Sequence, residues 1–296
     1  MNLRVAQASW PVLFLIQALF GGDFPRTLYA YPGRTPVIDG ILSSGEWDDA
    51  LQFTGVTRWT SPFSPAADPK DLSIRVYVKR DDQRLYFAFD VTDDVLYGID
   101  TPRWTPRGNP KANDLTPAGW PWFGDSVELM INASNRWKEN ETAAGDGASW
   151  DMIFNLTKSR KGGIGHAGLL EGEPRSSPQA WTSYQRWIST GAQEAVAKIK
   201  PGGRGYILEW AVRFNPCIEV APGQFYSPGM GDRPVGFNIA VRDADEKDKG
   251  QDNPGSLHHE AWLAGDKGVE AQLRSWATLW MMSKRGTLPS PVRILR

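Results

Sequence analysis

The sequence has few of the residues that build disulfides and metal clusters. It contains one cysteine, Cys217, and three histidines, His166, His258 and His259. A single thiol excludes an intramolecular disulfide and any cysteine-based zinc cluster. The three histidines leave little for a histidine-rich metal site, and the cluster His258-His259-Glu260 lacks metal-ligand spacing, so it is interpreted as a polar loop.

The sequence also lacks an excess charge of one sign and a long apolar run. Its 33 basic and 34 acidic residues give a net charge of -1. No basic field is available for nucleic acid or anionic membranes, so neither is predicted as a partner. No segment reaches the roughly 20 apolar residues of a transmembrane helix.

Motifs of the common catalytic sites are absent from the sequence as well. There is no Gly-x-Ser-x-Gly, P-loop or His-Glu-x-x-His pattern. The pair Asp125 and Glu128 contains the residue types of a glycosidase, but such enzymes need two carboxylates flanking one cleft. The sequence therefore predicts a protein that is not an enzyme, with a glycosidase as an open alternative.

The N-terminus predicts export. Arg4 precedes an apolar run at residues 10–20, and small Ala30 could precede a cleavage point. This pattern is typical of a secretory signal peptide, which we assign to residues 1–30. The protein is then secreted, periplasmic or at the cell surface. The alternative is a buried N-terminal strand or helix.

Tryptophan and turn-forming residues are abundant. The chain has 14 tryptophans, 30 glycines and 22 prolines. Glycine and proline mark turns and long connections. The tryptophans exceed what a core of this size is expected to need, so some are predicted to lie on surfaces, whereas Trp210 alternates with apolar neighbours and is predicted in the core.

The hydrophobic pattern alternates with a period of two over much of the chain. Residues 72–79 and 85–91 flank a turn and predict a β-hairpin. Because no long helix separates the strands, the sequence predicts an all-β, antiparallel two-sheet β-sandwich. The other predicted strands are residues 126–132, 151–156, 194–200, 206–214, 235–242 and 275–281.

Between and before the strands, other segments are predicted. Residues 43–50 resemble a short capped helix that turns Trp47 and Ala50 inward. Long insertions at residues 98–120, 135–149 and 162–191 have the length of functional loops. No linker composition appears, so residues 31–296 form one predicted domain.

Several segments occur in an order that matches one known family. The most distinctive is the Trp-x-x-Asp-Ser-Val-Glu segment at residues 122–128. The chain resembles carbohydrate-binding module family 9 and its DOMON-like relatives. The other matching segments are Ile38-Asp39-Gly40, Glu46-Trp47 with Ala50, residues 85–94, 206–212 and 235–245, and Trp262.

The resemblance implies a β-sandwich that clamps a sugar between two indoles. By position, Trp122 and Trp262 match the clamp and Glu128 matches a carboxylate that binds hydroxyls. A solvated strand residue is the alternative for Glu128, and a loop tryptophan capping the sandwich edge is the alternative for Trp122. The chain departs from the family at two places. The family's arginine on the strand at residues 151–155 is missing, and so are amide side chains near Ala240.

Further ligand-binding candidates lie beside these positions. Asp125 belongs to the distinctive segment, and Arg242 and His259 lie near the places of the missing amides. No cofactor is required, but the resemblance implies structural calcium, which takes six to eight oxygen ligands. Turn-forming aspartate is the alternative. The candidate calcium ligands are Asp93, Asp94, Asp243 and Asp245.

Two functions from different classes remain. The first is non-catalytic binding of a mono-, oligo- or polysaccharide, in which the sugar stacks on tryptophan and polar groups contact its hydroxyls. The second is a structural or partner-binding module of a cell-surface assembly without sugar affinity. A haem-binding DOMON domain is disfavoured because the histidines are predicted in loops.

Overall fold

The structure is a computed structural model that describes most of the predicted strands. It describes residues 27–54, 70–97, 125–132, 135, 149–156, 169–170, 193–221, 223–243, 259–262 and 276–285. The strands in these ranges are β1 (Thr27–Ala30), β2 (Leu51–Thr54), β3 (Leu72–Arg80), β4 (Arg84–Asp93), β5 (Ser126–Asn132), β6 (Ser149–Asn155), β7 (Leu169–Leu170), β8 (Gln193–Ile199), β9 (Tyr206–Arg213), β10 (Glu219–Ala221), β11 (Gln224–Phe225), β12 (Arg233–Asp243), β13 (His259–Trp262) and β14 (Ala277–Met281).

The strands form two main sheets. A seven-stranded sheet has the order β1-β14-β12-β5-β6-β7, and β13 also pairs with β12. A five-stranded sheet has the order β2-β3-β4-β9-β8, and β10 and β11 form a small ribbon. The pairs are antiparallel except for β1 with β14, which is parallel. The predicted all-β sandwich is confirmed.

Among the described residues, a hydrophobic core fills the space between the two main sheets. Phe87 of β4 stacks on Phe237 of β12, with ring centroids 5.5 Å apart and planes 7° from parallel. Trp210 of β9 meets Phe154 of β6 edge-on at 6.2 Å and is fully buried, as predicted. Every second residue of each central strand joins this core because the side-chain period of a strand is two.

The predicted short helix at residues 43–50 is wrong. The segment forms consecutive turns. Its acidic side chains bind the preceding chain, because Glu46 accepts hydrogen bonds from the amides of Val37 and Ser43, at 2.7 and 3.3 Å. Trp47 and Ala50 do point toward the protein, as predicted. They are buried against the face of the five-stranded sheet that is turned away from the main core.

Strand β1 overlaps the end of the predicted signal peptide. Leu28 and Ala30 are buried in the core, and β1 pairs with β14. The rest of the predicted leader, residues 1–26, lies outside the described residues, so the leader stays a prediction. We expect its cleavage before Thr27, because cleavage after Ala30 would remove a core strand.

The predicted insertions lie almost wholly outside the described residues. Only their edge residues 135 and 149 and the short strand β7 are described. In the described part of the chain, no helix is long and apolar enough to cross a membrane.

Candidate functional site

The site candidates on β5 and β12 lie on the outer face of the seven-stranded sheet. Val127 and Leu129 point into the core, so the alternate residues Ser126 and Glu128 face away from it. On β12 the outward position opposite Ser126 is Arg242. Polar groups from two neighbouring strands therefore share one patch.

Glu128 and Arg242 form a buried ion pair in this patch. Arg242 Nη1 lies 2.5 Å from Glu128 Oε2, and the side chains are 8% and 3% exposed. The alternative of a solvated Glu128 is therefore wrong. Removing two charges from water is costly unless they are well paired, so replacing either partner alone is expected to be destabilising.

Ser126 adds a hydroxyl beside the ion pair. Ser126 is 1% exposed, and its Oγ has no hydrogen-bond partner among the described residues. It is the Cα partner of Arg242 and lies two residues before Glu128. Asn238, also fully buried, lies on the same face of β12, and its side-chain oxygen accepts the amide of Ile239 at 3.0 Å. This face of the sheet is thus unusually polar.

The register of β13 brings Trp262 into the row of Glu128. Ala240 is the Cα partner of Glu128 on one side and of Trp262 on the other. His259, at the opposite end of β13, is the Cα partner of Asp243. It therefore lies in a strand and not in the predicted loop. Trp122, the second wall of the predicted clamp, lies outside the described residues.

A second polar cluster lies where three strand ends meet. Asp93 ends β4, Asp125 precedes β5 and Asp243 ends β12, and one carboxylate oxygen of each lies within 4.8 Å of the others. All three are about 1% exposed. The sequence prediction placed Asp93 and Asp243 in a metal site but assigned Asp125 to the sugar.

Backbone amides and a tyrosine complete the surroundings of this acidic trio. Asp93 accepts the amide of Val95 at 2.9 Å, and Asp125 accepts that of Tyr97 at 2.6 Å. Burial, and then the negative charges of the three aspartates, raises the pKa of Tyr206 well above its usual value.

The acidic trio has the donor chemistry of a calcium site. Carboxylate oxygens are the hard ligands that Ca²⁺ takes, and backbone carbonyls and waters commonly complete its shell. Close carboxylates in a buried place repel one another unless a cation or a proton intervenes. Of the other predicted ligands, Asp94 is exposed and does not join the trio, and Asp245 lies outside the described residues.

Asp125 and Glu128 belong to these two different clusters. Asp125 is part of the acidic trio, whereas Glu128 pairs with Arg242. The two carboxylates therefore have separate partners, whereas glycoside hydrolysis requires two carboxylates that flank one scissile bond.

Comparison with known proteins supports the fold. No protein-family model and no curated protein matches the sequence. Among solved structures, the chain is similar to a family 9 carbohydrate-binding module from Caldicellulosiruptor kristjanssonii in complex with cellotriose. The identity is 13%, the match covers 90% of this chain and 98% of the module, and the TM-score is 0.54.

A second structure gives the same result. A family 9 module from the same organism in complex with glucose is 14% identical, with 89% of this chain and all of the module covered and a TM-score of 0.50. At these identities the similarity shows the fold alone. The chain has the fold of a family 9 carbohydrate-binding module, as the sequence resemblance predicted.

Proposed function

We propose that the protein is a non-catalytic carbohydrate-binding module whose site is the polar patch on the outer face of the seven-stranded sheet. The observation that carries the proposal is the buried Glu128–Arg242 pair, in which Glu128 shares a row of the sheet with Ala240 and Trp262. The fold is shared with modules that hold cellotriose and glucose.

The chemistry of the patch suits a sugar. A pyranose has a face of C–H groups that stacks on an indole, and a rim of hydroxyls that binds charged partners. We propose Trp122 and Trp262 as the two aromatic walls, Glu128 as the floor, and His259 as a polar contact at the other end of β13. Sites of this kind are concave and mostly aromatic, with a few polar groups.

Replacement of the aromatic wall tests the proposal. In calorimetric titrations with glucose, cellotriose and a panel of polysaccharides, we expect Trp262→Ala to weaken binding about tenfold, which is about 1.4 kcal/mol. Trp280→Ala is the matched control, because Trp280 is a partly buried tryptophan on β14 of the same sheet. Equal affinities of the wild type and the Trp262 variant would remove the stacking role.

One observation favours the rival function, a structural or partner-binding module. On β6 the Cα partner of Glu128 is Ile153, where sugar-binding relatives are expected to place an arginine nearby. If the wild-type protein binds no member of the sugar panel, this second function is the better one.

We also propose that the acidic trio holds a structural Ca²⁺. A ligand that binds only the folded state raises its stability. Calcium should therefore raise the melting temperature, and excess chelator should lower it. Asp243→Asn should abolish the response, whereas Asp94→Asn, at an exposed neighbouring aspartate, should retain it. A melting temperature that is insensitive to calcium in the wild type would refute the proposal.

Export is the last part of the proposed function. Expression of the full chain in a bacterial host, followed by N-terminal sequencing of the exported protein, measures it. We expect the new N-terminus to lie at or before Thr27, which leaves β1 intact. An intact Met1 in the cytoplasmic fraction alone would contradict export.

A further inference from the structure

We propose that Arg242 and Ser126 contact the sugar together with Glu128, and that this trio of side chains selects uncharged sugars over uronic acids. We call these three residues the polar floor. The inference rests on the proposed function, since it names the kind of sugar that the same site takes.

The polar floor is compact and almost closed to solvent. Ser126 and Arg242 are Cα partners across β5 and β12, and Glu128 is the next outward residue on β5. Each of the three is at least nine-tenths buried. Cα atoms of directly paired residues lie about 4.5–5.5 Å apart, so the three side chains serve one small ligand surface.

The unsatisfied hydroxyl of Ser126 is consistent with a ligand at this place. Its buried Oγ has no hydrogen-bond partner among the described residues. Buried polar atoms without partners are rare in native proteins, and each needs an explanation. A sugar hydroxyl, which donates and accepts, would supply the missing partner. Serine itself does both, so it accommodates either orientation.

The ion pair beside Ser126 has complementary chemistry. Glu128 accepts hydrogen bonds, and the Arg242 guanidinium donates them from a planar fork. Each hydroxyl of a pyranose both donates and accepts, so two neighbouring hydroxyls can bind one acceptor and one donor at close range. Arg242 thereby supplies a cationic donor from β12 directly beside Glu128.

The charge of the polar floor disfavours an anionic ligand. Glu128 cancels the charge of Arg242 at 2.5 Å. A uronic acid would bring a carboxylate into this neutral surrounding and would lose its hydration without a free cation as partner. A neutral sugar carries no such cost.

Matched pairs of sugars test the inference. The probes are glucose, galactose and mannose, each compared by calorimetry with its uronic acid in the same buffer. In the wild type we expect the neutral member of the binding pair to be favoured at least tenfold. Arg242→Gln should weaken neutral-sugar binding about tenfold, and Ser126→Ala about threefold, as expected for loss of one charged and one neutral hydrogen bond.

Glu128→Gln gives the sharpest contrast. It leaves the Arg242 charge uncancelled and keeps an oxygen acceptor of similar shape, so the uronic acid should gain at least about tenfold relative to the neutral sugar. Arg75→Gln and Ser73→Ala on β3 of the other sheet are controls and should bind like the wild type. Thermal unfolding of each variant confirms that it is folded. The polar floor of the double variant Glu128→Gln/Arg242→Met carries no charge, so this variant should lose the increase in uronic acid affinity that Glu128→Gln shows.

The outcomes separate this inference from the proposed function. Neutral-sugar binding that is unchanged in Arg242→Gln and Ser126→Ala, or equal binding of uronic acids by the wild type, overturns the inference alone. A wild type that binds none of the neutral sugars overturns both.

Discussion

Glu209 of β9 anchors the N-terminal segment to the five-stranded sheet, and its removal should be costly. Its fully buried carboxylate accepts three hydrogen bonds of 2.8 Å, from the amides of Asp39 and Gly40 and from Trp47 Nε1. In Glu209→Gln the single amide oxygen serves only one carboxylate position, so at least one buried donor loses its acceptor. That loss costs about 1–3 kcal/mol. With the weaker uncharged bonds added, we expect about 2–4 kcal/mol.

A double-mutant cycle isolates the indole bond. Trp47→Phe removes the donor, so adding it to Glu209→Gln should cost about 1 kcal/mol less than adding it to the wild type. The control is Glu194→Gln, since exposed Glu194 pairs with Arg84 at 2.9 Å and should contribute less than about 1 kcal/mol. Urea unfolding measures the four proteins of the cycle and the Glu194 control. A Glu209 variant no less stable than the Glu194 variant would contradict the anchoring role of Glu209, and strictly additive costs would contradict its bond to the Trp47 indole.

Three further predictions concern pH and backbone geometry. Burial raises the pKa of Glu209 despite its hydrogen bonds, so the part of its stabilisation that depends on protonation is present below its usual pKa of 4.5 and is lost as pH rises through the folded-state pKa. The difference in unfolding free energy between wild type and Glu209→Gln should therefore narrow over that range, and a widening would contradict this. Burial acts to raise the pKa of Asp49, but a backbone amide and the Lys79 ammonium lower it below 3.8 overall. In acid titrations of stability, the unfolding free energy of the wild type should exceed that of Asp49→Asn above pH 3.8, and the difference should fade as pH falls through the lowered pKa. Gly205 has φ of +91°, and an added Cβ would overlap the carbonyl oxygen of Val91. Gly205→Ala should therefore lower the unfolding free energy by more than the roughly 1–2 kcal/mol of left-handed strain. A smaller loss of unfolding free energy would contradict the clash.

The central strands follow from local sequence because one face of each is buried. The alternation at residues 72–79 predicts β3, and the same pattern predicts the burial of Trp210. Strand β1 could not be predicted in this way, because it has four residues and its partner β14 lies far along the chain. Local cues for a helix at residues 43–50 failed because Trp47 and the neighbouring acids are held by distant or preceding segments.

The candidate site shows the same division. Glu128 could be predicted from its motif, but its pairing with Arg242 depends on the register between β5 and β12. The grouping of Asp125 with Asp93 and Asp243 depends on how both sheets pack, since these residues come from three separate strand ends. Sequence spacing does not predict that these three residues lie close together, although each aspartate lies at the edge of a predicted strand.

A crystal structure of the protein with cellotriose would show directly whether the polar patch is the sugar site. We expect electron density for a sugar ring over the row formed by Glu128, Ala240 and Trp262, with hydroxyls within hydrogen-bond distance of Glu128. A sugar bound at another face, with the polar floor covered by protein side chains alone, would contradict it.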